Sequence, residues 1–227
     1  TGDNVVTENS GNGGNFNNTG TLAKTAGTGS SGFASLARFN NLDGGTGNSG
    51  TGTMLIQTAG THTGVFNLAG NNVRFNGNTQ TFANGSVLRG TSNFNGATIR
   101  ADGNLTIDGT LNWSSGTTVT NAGSTGTLTV LGTSTLNIND SLGGGFHTLS
   151  AVTVNNAGTV NYAVAAGNSR ELLINDGTVF NNTGRFNFTG DNVVTENSGN
   201  GGNFNNTGTL AKTAGSGSSG FASLARF

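Results

Sequence analysis

Residues 180–186 read FNNTGRF and residues 204–210 read FNNTGTL, so Phe180 and Phe204 are each followed by two asparagines, a small residue and a glycine. The same pattern begins at Phe16 and, with valine in place of phenylalanine, at Val154. Adjacent copies lie 180 − 154 = 26 and 204 − 180 = 24 residues apart. Because glycine and asparagine tolerate positive φ, each copy predicts a strand residue followed by a tight corner. The signature residues are Phe16, Asn17, Asn18, Gly20, Val154, Asn155, Asn156, Gly158, Phe180, Asn181, Asn182, Gly184, Phe204, Asn205, Asn206 and Gly208.

The stretches between these corners alternate apolar and polar residues. Leu128 and Val130 flank Thr129, and Leu136 and Ile138 flank Asn137. A period of two residues is the pattern of a β-strand, whose successive side chains point to opposite faces. The sequence therefore predicts many short strands with their apolar side chains on one side. We also expect asparagines in stacked corners to hydrogen-bond each other's amides from one layer to the next.

A longer repeat encloses the short one. Residues 1–39 and 189–227 are identical except that Thr28 is replaced by Ser216, at an offset of 189 − 1 = 188 residues. We interpret residues 1–188 as one full tandem unit, residues 189–227 as the start of the next, and the chain as part of a longer array. A period of 188 residues would hold about eight short units of 23 to 24 residues.

Composition restricts the fold class and several functions. The chain has 41 glycines, no proline, no cysteine and 8 % charged residues, and its net charge is −1. Glycine, asparagine, threonine and serine are moderate to poor helix formers, which argues against a helical protein. The near-zero charge offers no basic surface to nucleic acid, and no apolar run reaches the length of a membrane helix. We therefore expect neither a nucleic-acid partner nor membrane insertion.

Short strands, glycine and asparagine corners and a short period together predict an all-β fold, a parallel β-helix or β-solenoid. We expect about 23–24 residues per coil and about eight coils in each 188-residue period, which would advance the chain by roughly 38 Å at strand spacing. Two stretches, residues 42–52 and 141–145, are expected to be extended turns or loops. Between Gly64 and Val119 the corner pattern is degraded, so the coil boundaries there stay open.

In the FNNTGTL-type pattern, the chain resembles the secreted repeat regions of large bacterial surface proteins. These are the filamentous-haemagglutinin-like and autotransporter-passenger adhesins and related extracellular repeat proteins. The resemblance covers essentially the whole chain, but its motifs are compositional. It implies an exported, elongated protein at the cell surface or outside the cell.

The chain carries few residues that could form a catalytic or metal-binding site. Asp102, Asp108 and Asp140 form the only plausible acidic group, and a role as turn residues beside glycine accounts for them better than catalysis does. His62 and His147 lack further ligands at convergent spacing, and we expect both to be solvated strand residues. The sequence therefore predicts no catalytic site, no metal, no cofactor and no enzyme.

Two features keep a binding function open. Thr-x-Thr pairs on a solenoid face could order water as ice-binding proteins do, but the five pairs are spaced too irregularly for a coil of this length: Thr51/Thr53, Thr61/Thr63, Thr79/Thr81, Thr127/Thr129 and Thr133/Thr135. Trp113 and Tyr162 could contact a sugar, although each occurs once per period.

The leading hypothesis is a structural component of an extracellular bacterial fibre, sheath or cell-surface stalk built from tandem solenoid repeats. Its expected partners are further copies of the same repeat, joined end to end and possibly side by side, and surface glycans are a further possibility. The alternative is an adhesin or a glycan-binding or ice-binding β-helix. A β-helical polysaccharide-degrading enzyme ranks lower.

Overall fold

The chain folds into one stack of parallel β-strand coils, without a helix among the residues described. The computed structural model describes residues 3–7, 13–35, 38–49, 51–114, 116, 118–121, 126–139, 145–163, 171–197, 199–224 and 226–227. Every strand pairing is parallel and joins one coil to the next. Within these ranges no helix is long and apolar enough to cross a membrane.

The strands are short, apart from three that run on around a corner. In chain order they are β1 Val5–Val6, β2 Asn15–Asn18, β3 Thr21–Lys24, β4 Ser30–Phe33, β5 Arg38–Asn41, β6 Thr46–Ser49, β7 Thr53–Ile56, β8 Gly60–His62, β9 Val65–Asn76, β10 Thr79–Phe82, β11 Ser86–Asn95, β12 Thr98–Ala101, β13 Asn104–Ser114, β14 Thr118–Thr120, β15 Thr127–Val130, β16 Thr135–Asn139, β17 His147–Ser150, β18 Thr153–Asn156, β19 Thr159–Ala163, β20 Leu172–Asn175, β21 Val179–Asn182, β22 Arg185–Phe188, β23 Val193–Thr195, β24 Asn203–Asn206, β25 Thr209–Lys212 and β26 Gly220–Phe221.

The coils form three faces. The first face pairs β1, β4 and β7 with the second halves of β9, β11 and β13, and then with β16, β19, β22 and β25. The second face runs β2, β5, β8, β10, β12, β14, β17, β20, β23 and β26. The third face pairs β3 and β6 with the first halves of β9, β11 and β13, and then with β15, β18, β21 and β24. Each coil visits the three faces in this order.

The predicted solenoid is therefore confirmed, with about eight turns of about 23 residues each. The alternating residues explain the core, because their apolar members point inward on all three faces. Leu128, Val130 and Leu136 are at most 1 % exposed, and they join a single hydrophobic core that runs along the stack. Aromatic rings reinforce it, as in the pair Phe180 and Phe204, which stack with ring centroids 4.9 Å apart.

The degraded pattern between Gly64 and Val119 has a structural cause. Here β9, β11 and β13 continue from the third face to the first without an Asn-Asn-x-Gly corner. The bend instead involves Gly90 and Gly109, which pair with each other and have φ of 87° and 149°. The coil shortens to 19 residues, as between Asn93 and Asn112, whereas Asn156 and Asn182 lie 26 residues apart.

The expectation of a loop over residues 42–52 is wrong in part. Thr46–Ser49 is a strand that pairs with Thr21–Lys24. Its inward position is Gly47, and a side chain there would collide with the ring of Phe66 from the next coil. This strand lacks the expected inward apolar side chain because the ring of Phe66, from the neighbouring coil, occupies that part of the core. Most of the second expected loop, residues 141–144, lies outside the described residues.

Candidate functional site

The most regular polar feature is a ladder of buried asparagines where the third face turns into the first. The Asn156 amide donates to Asn182 Oδ1 and the Asn182 amide donates to Asn206 Oδ1, both at 2.7 Å. A second donation, of 3.1 Å in both cases, reaches the carbonyl oxygens of Arg185 and Thr209. Asn156 and Asn182 are at most 1 % exposed. A buried amide without partners would be costly, so the ladder ties consecutive coils together.

The first copy of the motif, around Asn18, forms the same type of corner at a different edge of the solenoid. Asn18 lies where the second face turns into the third, and its amide donates to Asn41 Oδ1 at 2.8 Å. The Asn41 amide continues to the carbonyl oxygen of Val65. The predicted amide ladders therefore occur at two different edges of the solenoid.

The signature glycines stack on one another at the same corner. A Cβ on Gly184 would collide with the carbonyl oxygen of Gly158, and one on Gly208 would collide with the carbonyl oxygen of Gly184. Glycine is required at these two positions because successive corners approach each other closely, not because of a special φ. Gly20 faces open space, since no coil precedes it in the structure.

The remaining signature residues divide between the core and the surface. Val154, Phe180 and Phe204 point inward and pair in register, whereas Phe16 is 37 % exposed. Their neighbours form a second, outer ladder on the third face, in which Asn181 donates to Asn155 and Asn205 donates to Asn181. In the first copy Asn40 donates to Asn17 in the same way.

A longer asparagine ladder crosses the outside of the first face. Five side chains are bonded in one direction over successive coils, each amide donating to the preceding Oδ1 at 2.9–3.3 Å: Asn93, Asn112, Asn137, Asn161 and Asn187. A column of threonines runs beside it, formed by Thr91, Thr110, Thr135 and Thr159. From Asn93 to Asn161 the first face therefore presents a neutral, hydrogen-bonding surface, and Arg185 follows the threonine column in the next coil.

The second face carries aligned threonines that sequence spacing did not predict. One column is formed by Thr79, Thr98, Thr118 and Thr148, and its neighbour by Thr61, Thr81, Arg100, Thr120 and Ser150. The five Thr-x-Thr pairs named above are distributed over all three faces, and two of them, Thr61/Thr63 and Thr79/Thr81, share the second face. The aligned pairs became visible only when coils of different length brought single threonines into register.

The candidate acidic group does not assemble. Asp102 pairs with Arg100 at 3.0 Å, and Asp108 pairs with Arg89 at 2.7 Å, each near a different corner. Asp140 lies outside the described residues. Among the described residues, no group of three histidine, cysteine or acidic side chains is placed to hold a metal ion.

The expectation that both histidines are solvated is wrong. His62 and His147 occupy inward positions of β8 and β17 and are fully buried. His147 packs edge-on against Trp113, and its Nε2 lies 3.2 Å from the Trp113 carbonyl oxygen. The alternation Thr61-His62-Thr63 contained the signal, because it places both threonines on one side of the strand and the histidine on the other.

His62 is held in its neutral form. Its Nε2 lies 2.9 Å from Gln80 Oε1, and its Nδ1 accepts a hydrogen bond from the Asn41 backbone N–H at 3.3 Å. Protonation would place a second N–H against the Asn41 donor. Burial lowers the pKa of His62 to about 4, although the bond to Gln80 partly opposes this shift.

We expect stability to fall between about pH 6.5 and pH 4. The unfolded chain takes up a proton at His62 near its usual pKa of 6.5, whereas the folded chain does so only near pH 4, so acid favours unfolding in this window. At 1.36 kcal/mol per unit, the difference amounts to about 3 kcal/mol. Urea unfolding at pH 7 and pH 4.5 measures it, and His62→Gln should flatten the dependence. A wild-type stability that is constant over this range would contradict buried neutral His62.

Trp113 and Tyr162 are not available to a sugar. Both are fully buried, so the sugar contact that the sequence left open at these two residues is ruled out. Tyr162 donates from its hydroxyl to the Val193 carbonyl oxygen at 2.9 Å and accepts from the Leu172 backbone N–H at 2.7 Å. Burial raises the pKa of this hydroxyl. Tyr162 therefore links its own coil to the next one in the stack.

One charged cluster was not anticipated from the sequence, and it occurs twice. Lys24 binds Asp3 at 2.9 Å, and in the second copy Lys212 binds Asp191 at 2.7 Å. The lysine hydrogen bond, followed by a backbone N–H, lowers the pKa of each aspartate. The 21-residue separation, close to one coil, was the available signal.

Comparison with known proteins returns no match among family models, curated proteins or solved structures.

Proposed function

We propose that this protein is a structural component of an extracellular bacterial fibre, sheath or cell-surface stalk, built by stacking tandem solenoid repeats. In this role it would act through its shape and stiffness. Export, surface location and assembly with further copies are parts of the same proposal.

The observation that carries the proposal is the continuity of the coil-to-coil bonding. Parallel pairing joins each coil to the next on all three faces, and buried asparagine ladders add side-chain bonds along the same axis. Since each coil is held by its neighbours, stiffness extends as far as coils are added. A sequence whose repeats form the same contacts from each coil to the next suits a long rod.

The outer surface supports the same role. On the first face the outward residues of four successive coils include aligned threonines and asparagines, such as Thr110 beside Asn112 and Thr135 beside Asn137. These side chains keep a long rod hydrated without concentrating charge of one sign. They also present polar side chains to a neighbouring rod.

Immunogold electron microscopy of intact producing cells, with antibody raised against the purified chain, tests the proposal. We expect label along filaments or a layer outside the cell, and cryo-electron microscopy of those filaments should show an axial spacing of about 4.8 Å. Label confined to the cell interior, or filaments with strands along their axis, would contradict it.

The second candidate is binding of ordered water or ice by the second face, and the aligned threonine columns favour it. Thr79 and Thr81 lie beside Thr98 and Arg100, and Thr118 and Thr120 follow in the next coil. Arg100 interrupts the flat array, which is why this candidate ranks second.

An ice-recrystallisation assay on the purified chain separates the two candidates. Inhibition that disappears in Thr118→Tyr but persists in Thr129→Tyr, on the third face, would support an ice-binding second face. No inhibition by the wild-type chain would eliminate it and leave the structural proposal unchanged.

A further inference from the structure

The two copies of the 39-residue segment have the same local structure. Val5 and Val6 pair with Gly32 and Phe33, and Val193 and Val194 pair with Gly220 and Phe221 in the same register. The strand that begins at Asn15 pairs with Arg38, as Asn203 does with Arg226. The lysine–aspartate pair is likewise reproduced.

The two copies nevertheless occupy different faces. β1 lies on the first face and its copy β23 on the second; β2 lies on the second face and its copy β24 on the third. In the same way β3 on the third face becomes β25 on the first. When the chain is followed from strand to paired strand, one 188-residue period makes eight full turns and then continues over one additional face. The second copy is therefore rotated by a third of a turn about the solenoid axis.

The ends of the stack show what each copy packs against. Val6 is 50 % exposed at the N-terminal end, whereas Val194, its copy, is completely buried because β20 precedes it. At the other end Phe227 is 71 % exposed, whereas its copy Phe39 is completely buried against the coil that contains Phe66. The same residues are exposed or buried according to whether a neighbouring coil is present.

We propose that successive copies of this sequence stack end to end through the interface already formed between strands β19 to β22 and strands β23 to β26, each copy rotated by a third of a turn relative to the previous one. The N-terminal surface around Val6 and Phe16 is then the docking surface, and its partner is a coil with the sequence of residues 159–188 in the preceding copy. This inference rests on the proposed structural role.

The contacts within the chain favour this rotation between copies over stacking in the same orientation. In the second copy Val194 packs beneath Leu172, and Phe204 stacks on Phe180. Stacking without rotation would require each 188-residue period to make a whole number of turns. The period in the structure makes eight turns and one additional face. Stacking without rotation would therefore place the strand that begins at Val193 after a different strand and break the contact with Leu172.

The rotation determines how an array meets its neighbours. Each copy advances the axis by about 40 Å, and three copies, about 120 Å, return a surface feature to its starting direction. The neutral ladder containing Asn112 and Asn137 then points in three directions in turn. A rod of such repeats can contact neighbours on three sides, which suits a bundle rather than a flat layer.

Cryo-electron microscopy of a chain with three successive 188-residue repeats tests the proposal. We expect a continuous rod in which the repeats are related by 120° and about 40 Å. Repeats in the same orientation along a continuous rod would overturn the rotation while leaving the structural function intact. Separate globules joined by linkers would overturn both.

A variant pair tests the docking surface in the same chain. The first variant carries Val194→Asp at one internal junction between repeats. It should interrupt the rod or misalign the two repeats that meet there. Val6→Asp in the first repeat, at the open end, should leave both junctions and the circular dichroism spectrum unchanged. An intact, correctly rotated junction in the internal variant would overturn the proposed interface.

Discussion

Replacing Val194 with aspartate is expected to destabilise the C-terminal coils by about 3–5 kcal/mol, because it buries a carboxylate without a partner. Val194 is completely buried between Leu172 and Phe221. Because coils in a solenoid contact only their neighbours, the loss should be concentrated in residues 171–224. Hydrogen exchange in strand β20, together with urea unfolding, measures it.

Val6→Asp supplies a control in the same sequence context. Val6 is 50 % exposed, and among the described residues no strand pairs with β1 on the side away from β4, so we expect a change of about 0.5 kcal/mol or less. The two substitutions share their neighbours in sequence and their pairing register, so their difference isolates the covering coil. Equal losses in the two variants would show that strand β20 does not cover Val194.

Replacing Asn182 with alanine is expected to cost about 2–4 kcal/mol, because it removes the centre of the buried ladder. Asn182 donates to Asn206 and to the Thr209 carbonyl oxygen, and it accepts from Asn156. Alanine would leave the buried Asn156 amide and the Thr209 carbonyl short of partners. Thermal and urea unfolding measure the loss.

Asn205→Ala is the matched control for this ladder. Asn205 belongs to the outer ladder, is exposed, and donates one bond, to Asn181. Water can replace that bond, so we expect a change within about 0.5 kcal/mol. A loss as large as that of Asn182→Ala would mean that burial does not distinguish the two ladders.

Together these variants separate two sources of cohesion along the axis. Val194 reports apolar packing between coils, and Asn182 reports side-chain hydrogen bonding between corners. If both prove strong, as the structure leads us to expect, adding coils extends a rod that resists local opening. That property is what the proposed fibre or stalk requires.

Much of the candidate surface could be anticipated from local pattern. The Asn-Asn-x-Gly corners predicted the amide ladders, and strand alternation placed Leu128 and Val130 in the core. The same alternation would have placed His62 inside, but a polar residue type outweighed it in the prediction. At Trp113 and Tyr162 the sequence left a sugar contact open, because amphipathic rings occur both in cores and at surfaces.

The register between coils could not be read from the sequence. Coil length varies from 19 residues, between Asn93 and Asn112, to 30 residues, between Thr118 and Thr148, so equal spacing along the chain does not mean alignment in space. The threonine column of Thr98 and Thr118 and the ladder of Asn93 and Asn112 appear only after strands pair. Gly47 likewise resembles a loop residue in the sequence, and only the structure shows that Phe66 of the next coil occupies the space of its missing side chain.

The sequence by itself determined the fold class, the approximate coil length and the near-identity of residues 1–39 and 189–227. These follow from local causes: alternation makes strands, and glycine and asparagine make corners. The tertiary structure alone decided on which face each strand lies, and hence that the two copies differ by a third of a turn. The physical reason is that face position is the accumulated result of all preceding coil lengths and corners, which only the paired strands fix.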